Sequence, residues 1–173
     1  MKSKILATAI QVLSRQGLSA WTVERVAHDT GCAKGLVHYH FRNKSELLTQ
    51  VAAAIGERQQ SRRVGALRAT GASSLDLLWE VLVEEVRSGE FGAWIALVAH
   101  PDLSVRAALR LPTNEVALLG AAAIEALDLE ASPAEVGRLI VAGLHGFQLS
   151  LLRGEEAESA HEAYHRFWLG VIG

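Results

Sequence analysis

Two short stretches of the chain hold residue types able to do chemistry. The first is Lys34-Gly35-Leu36-Val37-His38-Tyr39-His40, which gathers an ammonium, two imidazoles and a phenol within one or two helical turns. Such groups can bond to phosphate oxygens or to the edges of bases. The second is His161-Glu162-Ala163-Tyr164-His165, a literal H-E-x-x-H. In a zinc hydrolase this pattern puts two imidazole ligands on one helix face beside a glutamate general base, and a third ligand must come from elsewhere. Only eight residues follow His165, none of them His, Asp, Glu or Cys, so His100 or His145 upstream would have to serve. The plainer reading is that Tyr164, Phe167, Trp168, Val171 and Ile172 form an apolar stripe and the His pair borders it. On that reading no catalytic residue, metal or cofactor is expected.

The elements that must position these groups all have the helical period. Ile5, Leu6, Ala9, Val12 and Leu13 form a stripe ending at Gly17, a C′ candidate. Val23, Val26 and Ala27 predict a short helix from about Thr22 to Gly31. Val37 and Phe41, four apart, anchor a third. Asn43 and Glu46 make a capping box that opens a long helix to about Arg63. Residues 69–74 (ATGASS) are a candidate joint. Further helices are predicted over 75–87, 91–99, from about Ser104 to an interruption at Pro112, and over 115–127. Ser132-Pro133-Ala134-Glu135 combines an N-cap, Pro at N1 and an acidic N3, opening a helix to about Arg153. A last helix covers roughly 159–171. With no strand alternation, the chain is expected to be all-α, with domains at 1–48 and 49–173 linked by the helix from about residue 44 to 63.

A major-groove reader is a short helix locked by its inner face while the outer face stays polar. Val37 and Phe41 supply the lock, and Lys34, Gly35, His38 and Tyr39 project elsewhere. Gly35 would let the backbone come close to the groove. Thr22 and Lys44 stand at helix starts, where phosphate is favoured. Tyr39 and His40 are expected to position the helix, and His38 or Lys34 to read bases.

Thr22, Val26-Ala27, Gly31, Lys34-Gly35, Tyr39-His40-Phe41, Lys44 and Leu47 together form a spaced pattern that resembles the N-terminal domain of the TetR family of bacterial repressors. The resemblance covers about the first 60 residues. It implies a homodimer that binds a palindromic operator in double-stranded DNA and is released by a small-molecule effector. Three positions depart from the family pattern. Ala33 stands where a Ser or Thr would cap the third helix, a loss of about 1 kcal/mol. Leu36 replaces a polar residue and could touch a thymine methyl. His38 replaces a Tyr and could make reading weakly pH-dependent.

Charge supports this division. Residues 1–70 carry 11 Lys/Arg against 4 Asp/Glu, a charge of +7, and the remainder carries −9. A basic end on an acidic body suits a nucleic-acid reader joined to a sensing module. The single cysteine, Cys32, excludes an internal disulfide and reads as a small buried hydrophobe in the turn. No secretion signal or membrane span is expected, so the chain is placed in the cytoplasm.

The helix around Leu139–Leu152 is apolar on nearly every side and should face both a core and a partner. Leu144, Leu151, Tyr164, Phe167, Trp168 and Val171 are the candidate dimer residues. Trp79, Phe91, Trp94, His100 and Phe147 are candidates to line an effector pocket with few cations, suiting a neutral or weakly basic apolar ligand. Two alternatives stand beside a DNA-binding regulator: a zinc hydrolase through His161 and His165, and a helical adaptor whose basic end binds protein or RNA.

Overall fold

The computed structural model describes residues 1–69, 74–109 and 114–172. Two sequence expectations, most of the joint at 69–74 and the interruption at Pro112, lie outside the described residues. Every described element is a helix: α1 (Lys2–Ala20), α2 (Val23–Thr30), α3 (Lys34–His40), α4 (Lys44–Leu67), α5 (Ser74–Arg87), α6 (Glu90–Val98), α7 (Leu103–Ala108), α8 (Glu115–Leu127), α9 (Pro133–Leu152) and α10 (Ala157–Ile172). The chain forms two compact units, Met1–Glu57 with Ser88–Pro112, and Arg58–Arg87 with Thr113–Gly173. They are cut differently from a division at residue 48, because α4 carries Val51, Ala52 and Ile55 into the first core and α6 and α7 join that core too.

In the first unit α1 buries Ile5, Ala9, Ile10, Val12 and Leu13. Each Ile, Val and Leu among them contributes about 2 kcal/mol of transfer free energy before its ordering cost, and the Ala9 methyl under about 1 kcal/mol. Gly17 interrupts α1 at φ 72°, as its C′ pattern suggests, but helical backbone resumes to Ala20. Trp21, wholly buried, donates its ring N–H to the Ala9 carbonyl at 2.9 Å, so α1 and the turn after it are pinned together. α6 packs on α1 so closely that a Cβ on Gly89 (φ 79°) would fall 2.1 Å from the Ser14 carbonyl oxygen. α7 starts on an Asp102 cap, whose carboxylate accepts from the Ser104 amide at 2.9 Å and from the Ser45 hydroxyl at 2.5 Å. Hydrogen bonds from Ser104 and then Ser45 hold that carboxyl down at about 2.

In the second unit α8 and α9 meet backbone to backbone. A Cβ on Gly120 would lie 1.8 Å from the Pro133 carbonyl oxygen, and one on Gly137 would lie 1.8 Å from that of Val116. Ser132 occupies the N-cap of α9 with Pro133 at N1, but its hydroxyl accepts no amide. The residue type marks the boundary without making the bond. Around this pair Leu78, Leu82, Leu119, Ile140, Leu144, Tyr164 and Trp168 are buried.

This core also encloses charge. Arg63 donates to Glu85 Oε2 at 2.7 Å and to Gln148 Oε1 at 2.9 Å, and Gln148 donates to Glu85 Oε2 at 2.7 Å. All three side chains are buried. Arg63 also reaches Glu115 at 3.1 Å and lies 3.4 Å from His145 Nε2. Burial, and secondarily the Arg63 charge, hold His145 down at about 3. A buried ion is tolerated only when paired and hydrogen-bonded, and here the acceptors surround the guanidinium.

Candidate nucleic-acid interface

The α2–α3 unit is assembled from short-range signals. Thr22 caps α2, accepting the Arg25 amide on its hydroxyl at 3.0 Å. Gly31 ends α2 in the left-handed region at φ 72°, a conformation that costs a residue with a side chain. Cys32, half-buried, follows it with its amide bonded to the Ala27 carbonyl and its side chain against the core. α3 then begins at Ala33 with no side-chain cap, as the sequence implied. Asn43 accepts the Glu46 amide at 2.8 Å at the start of α4. Glu46 answers on the Arg42 amide at 3.0 Å, one residue before the position a reciprocal capping box would use.

α3 shows the two-faced geometry the sequence predicts. Val37 and Phe41 are each 1 % exposed, locked into the first core, while Tyr39 is 82 % exposed and Lys34, Gly35 and His38 are also exposed. His40 is half-buried, its ring edge-on to Tyr39. Leu36 is half-buried, so its apolar surface is shared between the protein and solvent. Lys34 is bonded to Glu24, and that contact lowers the Glu24 carboxyl below its ordinary range. For Lys34 to meet a phosphate or a base it must first exchange that partner. Lys44 is exposed at the first residue of α4, its ammonium 5.7 Å from the Trp21 ring centre.

A Cβ on Gly35 would meet nothing within 4 Å. The protein's own packing gives no reason for glycine there. Sequence reasoning passed over three cations that the structure sets in this unit: Lys2 over the Phe41 ring, Arg25 paired with Asp29, and Arg42, 92 % exposed in the turn before α4. Their only signal in the sequence was the basic balance of the first 70 residues.

Residues 5–51 match the family described as bacterial regulatory proteins, tetR family. Over those residues the chain matches the tetR-type helix-turn-helix domain. Curated relatives agree over the same region. The chain is 34 % identical over 47 residues to the uncharacterised HTH-type transcriptional regulator YerO of Bacillus subtilis, and 30 % identical over 50 residues to the HTH-type transcriptional regulator AcrR of Shigella flexneri. Those stretches are 27 % and 29 % of this chain, and they span only 16 % and 23 % of the relatives' own lengths. Solved structures match throughout. A tetR-family regulator from Rhodococcus aligns at TM-score 0.76 and 22 % identity, covering 99 % of this chain and 98 % of that one. A transcriptional regulator from Saccharomonospora viridis, solved in complex with choline, aligns at TM-score 0.69 and 16 % identity, covering 96 % of this chain and 94 % of that one. At those identities the likeness is one of fold. The all-helical architecture of this chain, helix-turn-helix included, is the fold those structures share.

The other expected sites fare differently. Phe91, Trp94 and His100 lie in the first unit, with Phe91 and Trp94 stacked 5.7 Å apart, while Trp79 and Phe147 lie in the second. Trp79 stacks on His161 at 4.9 Å, and Phe147 is edge-on to Tyr164 and Phe167. Neither unit brings the five together as one lining. The second unit instead holds a groove of about 370 Å³ between α4 and α5, walled by Gly65, Ala66, Leu77 and Val81 with Arg62, Glu80 and Glu84 among its polar residues.

The candidate dimer residues also need correction. Leu144, Tyr164 and Trp168 are buried in their own core, and the Tyr164 hydroxyl donates to the Leu75 carbonyl at 2.7 Å. No surface of those three is left for a partner. Leu151, Phe167 and Val171 are half-buried. The apolar stripe that α9 turns to solvent is Leu139, Ala142, Gly146 and Leu149, with Leu139 60 % exposed. Periodicity showed that α9 is apolar all round, but not which face the protomer consumes.

Proposed function

We propose that this chain is a transcriptional regulator, a repressor, that binds a palindromic operator as a homodimer and releases it when a small molecule binds. The observation that carries the reading is α3: seven residues pinned by Val37 and Phe41, with Lys34, Gly35, His38 and Tyr39 turned outward. The DNA-binding set is Thr22, Lys34, Gly35, Leu36, His38, Tyr39, His40 and Lys44. Thr22, Tyr39, His40 and Lys44 contact phosphates, and Lys34 and His38 contact base edges. Gly35, with open space beyond it, lets the backbone approach the duplex.

The dimer forms through the exposed stripe of α9, where Leu139, Ala142, Gly146 and Leu149 recur at three- and four-residue spacing. Such a seam pairs with its own copy, and Gly146 allows close approach. Residues 1–48 read DNA and residues 49–173 serve dimerisation and sensing. The effector enters the groove between α4 and α5, whose apolar walls and two carboxylates, Glu80 and Glu84, against the one guanidinium of Arg62, suit a weakly basic or cationic apolar molecule. The choline held by the Saccharomonospora neighbour is of that charge class. The effector must bind one arrangement of the paired reading helices better than the other, so that contact with both half-sites is weakened.

Selection of bound duplexes from a random pool at fixed salt tests this reading. A two-fold-symmetric consensus is expected, with affinity falling steeply as salt rises. An enriched pool without symmetry, or none, rejects it.

A further inference from the structure

The H-E-x-x-H stretch finds its third group on α5. Asp76 Oδ1 lies 3.8 Å from His161 Nε2 and 3.7 Å from His165 Nε2. The three donor atoms all fall within 4.8 Å of one another. The group consists of Asp76, His161 and His165, and His145, considered in the sequence, instead faces the Arg63 guanidinium. We propose that Asp76, His161 and His165 form a binding site for a divalent first-row transition-metal ion of the zinc class, clamping α10 to α5.

Four observations converge on this site. Both imidazoles present the same nitrogen toward one carboxylate oxygen, which one helical turn between the histidines makes possible. At 3.7 and 3.8 Å the His–Asp contacts are too long for hydrogen bonds, so the polar atoms converge without satisfying each other. His161 Nε2 is buried and has no hydrogen-bond partner, a condition that a ligand relieves. Trp79 stacks on the His161 ring at 24° between planes, fixing its orientation from behind.

The chemistry follows from the donors. Two neutral imidazoles and a carboxylate suit zinc, nickel, cobalt or copper rather than magnesium or calcium, which take oxygen ligands. Zinc bonds of about 2.1 Å put tetrahedral donors about 3.4 Å apart, so the observed spacings close by small rotations of side chains that reach solvent. A fourth position is left for water or an incoming group. Binding releases protons from any protonated imidazole and stabilises only the state in which α5 and α10 are docked. The site does not depend on α3, so the DNA-binding reading can fail without it, and the reverse.

The test is a calorimetric titration of the full, tag-free chain with zinc after chelator treatment and dialysis, with melting followed in parallel. One zinc per chain is expected, and Tm should rise on the order of 5 °C at zinc 100-fold above Kd. Asp76→Asn and His165→Gln, both at solvent-exposed positions, should each weaken binding at least tenfold, with the zinc-free Tm unchanged in His165→Gln and lowered by no more than about 3 °C in Asp76→Asn, whose charge lies in the first turn of α5. His28→Gln, in the other unit, should leave binding as it was. Substoichiometric uptake, or zinc binding that survives both Asp76→Asn and His165→Gln, overturns the proposal.

Discussion

The two units solve the same problem, packing helices into a core, with different materials. The first packs α1, α2, α3 and the start of α4 through apolar side chains pinned by local devices: the Thr22 cap, the Gly31 turn and the Trp21–Ala9 bond. The second buries Arg63, Glu85 and Gln148 in one hydrogen-bonded cluster drawn from α4, α5 and α9. Those partners are at most 12 residues apart, although Ser45 and Asp102 in the same unit are 57 apart, and the bonds of the Arg63 cluster span 22 to 85 residues. A polar cluster of that kind is satisfied only when all its elements arrive together. The α1–α4 part of the first unit is thus specified by short-range chemistry, and the buried cluster of the second by long-range complementarity.

That contrast can be broken most forcefully at Arg63. Arg63→Met should lower the stability of the second unit by about 3–5 kcal/mol in urea unfolding, because the fully buried Glu85 and Gln148 lose the guanidinium between them and Arg62 reaches the other Glu85 oxygen. Replacing Arg63, Glu85 and Gln148 together by Met, Leu and Leu should return most of the loss. If the triple variant is as unstable as the single one, the cluster is not the unit described.

Next in size is the α8–α9 contact. Gly137→Ala puts a methyl 1.8 Å from a backbone oxygen, and a loss of about 3 kcal/mol is expected by thermal or denaturant unfolding. Acid sharpens the same point. His145, held at about 3, stays neutral while the unfolded chain takes up a proton below its ordinary 6.5. The unfolded state then binds more protons, so the second unit should lose stability as pH falls from about 6.5 toward 3, and His145→Gln should flatten that slope.

The smallest effects fall in the first unit, where they separate folding from reading. Ala33→Ser should add about 1 kcal/mol by supplying the absent cap of α3. Gly35→Ala should leave stability unchanged or raise it by up to about 1 kcal/mol, since nothing stands within 4 Å of the new methyl. It should nonetheless weaken duplex binding at least tenfold, measured by fluorescence anisotropy. A Gly35→Ala protein that binds DNA normally would remove the close-approach role.

How much of this was legible in the sequence follows the same division. Thr22, Gly31, Val37, Phe41 and Asn43 act within a few residues of themselves, and each sits in the structure where its type implied. Gly17 marked a real break in α1, though not its end, because helical backbone resumes to Ala20. The second unit was legible as helices but not as contacts. Leu144, Tyr164 and Trp168 have the spacing of an interface stripe, yet the protomer's own core consumes them. Asp76 gave no sign of standing beside His161 and His165, because the pairing spans 85 residues and no local pattern encodes it. Lys34 was expected to be available, but Glu24, ten residues earlier, holds it.

The outward face of α3 carries the central claim, and Tyr39 and His38 isolate it because both side chains are exposed. The decisive measurement is the affinity of His38→Ala/Tyr39→Ala for the selected operator, taken at one salt concentration beside its melting temperature. A loss of at least 100-fold in affinity with Tm within about 1 °C of the parent is the predicted result, two contacts of about 1–3 kcal/mol each being removed on each half-site. Operator affinity equal to that of the parent protein would contradict the account.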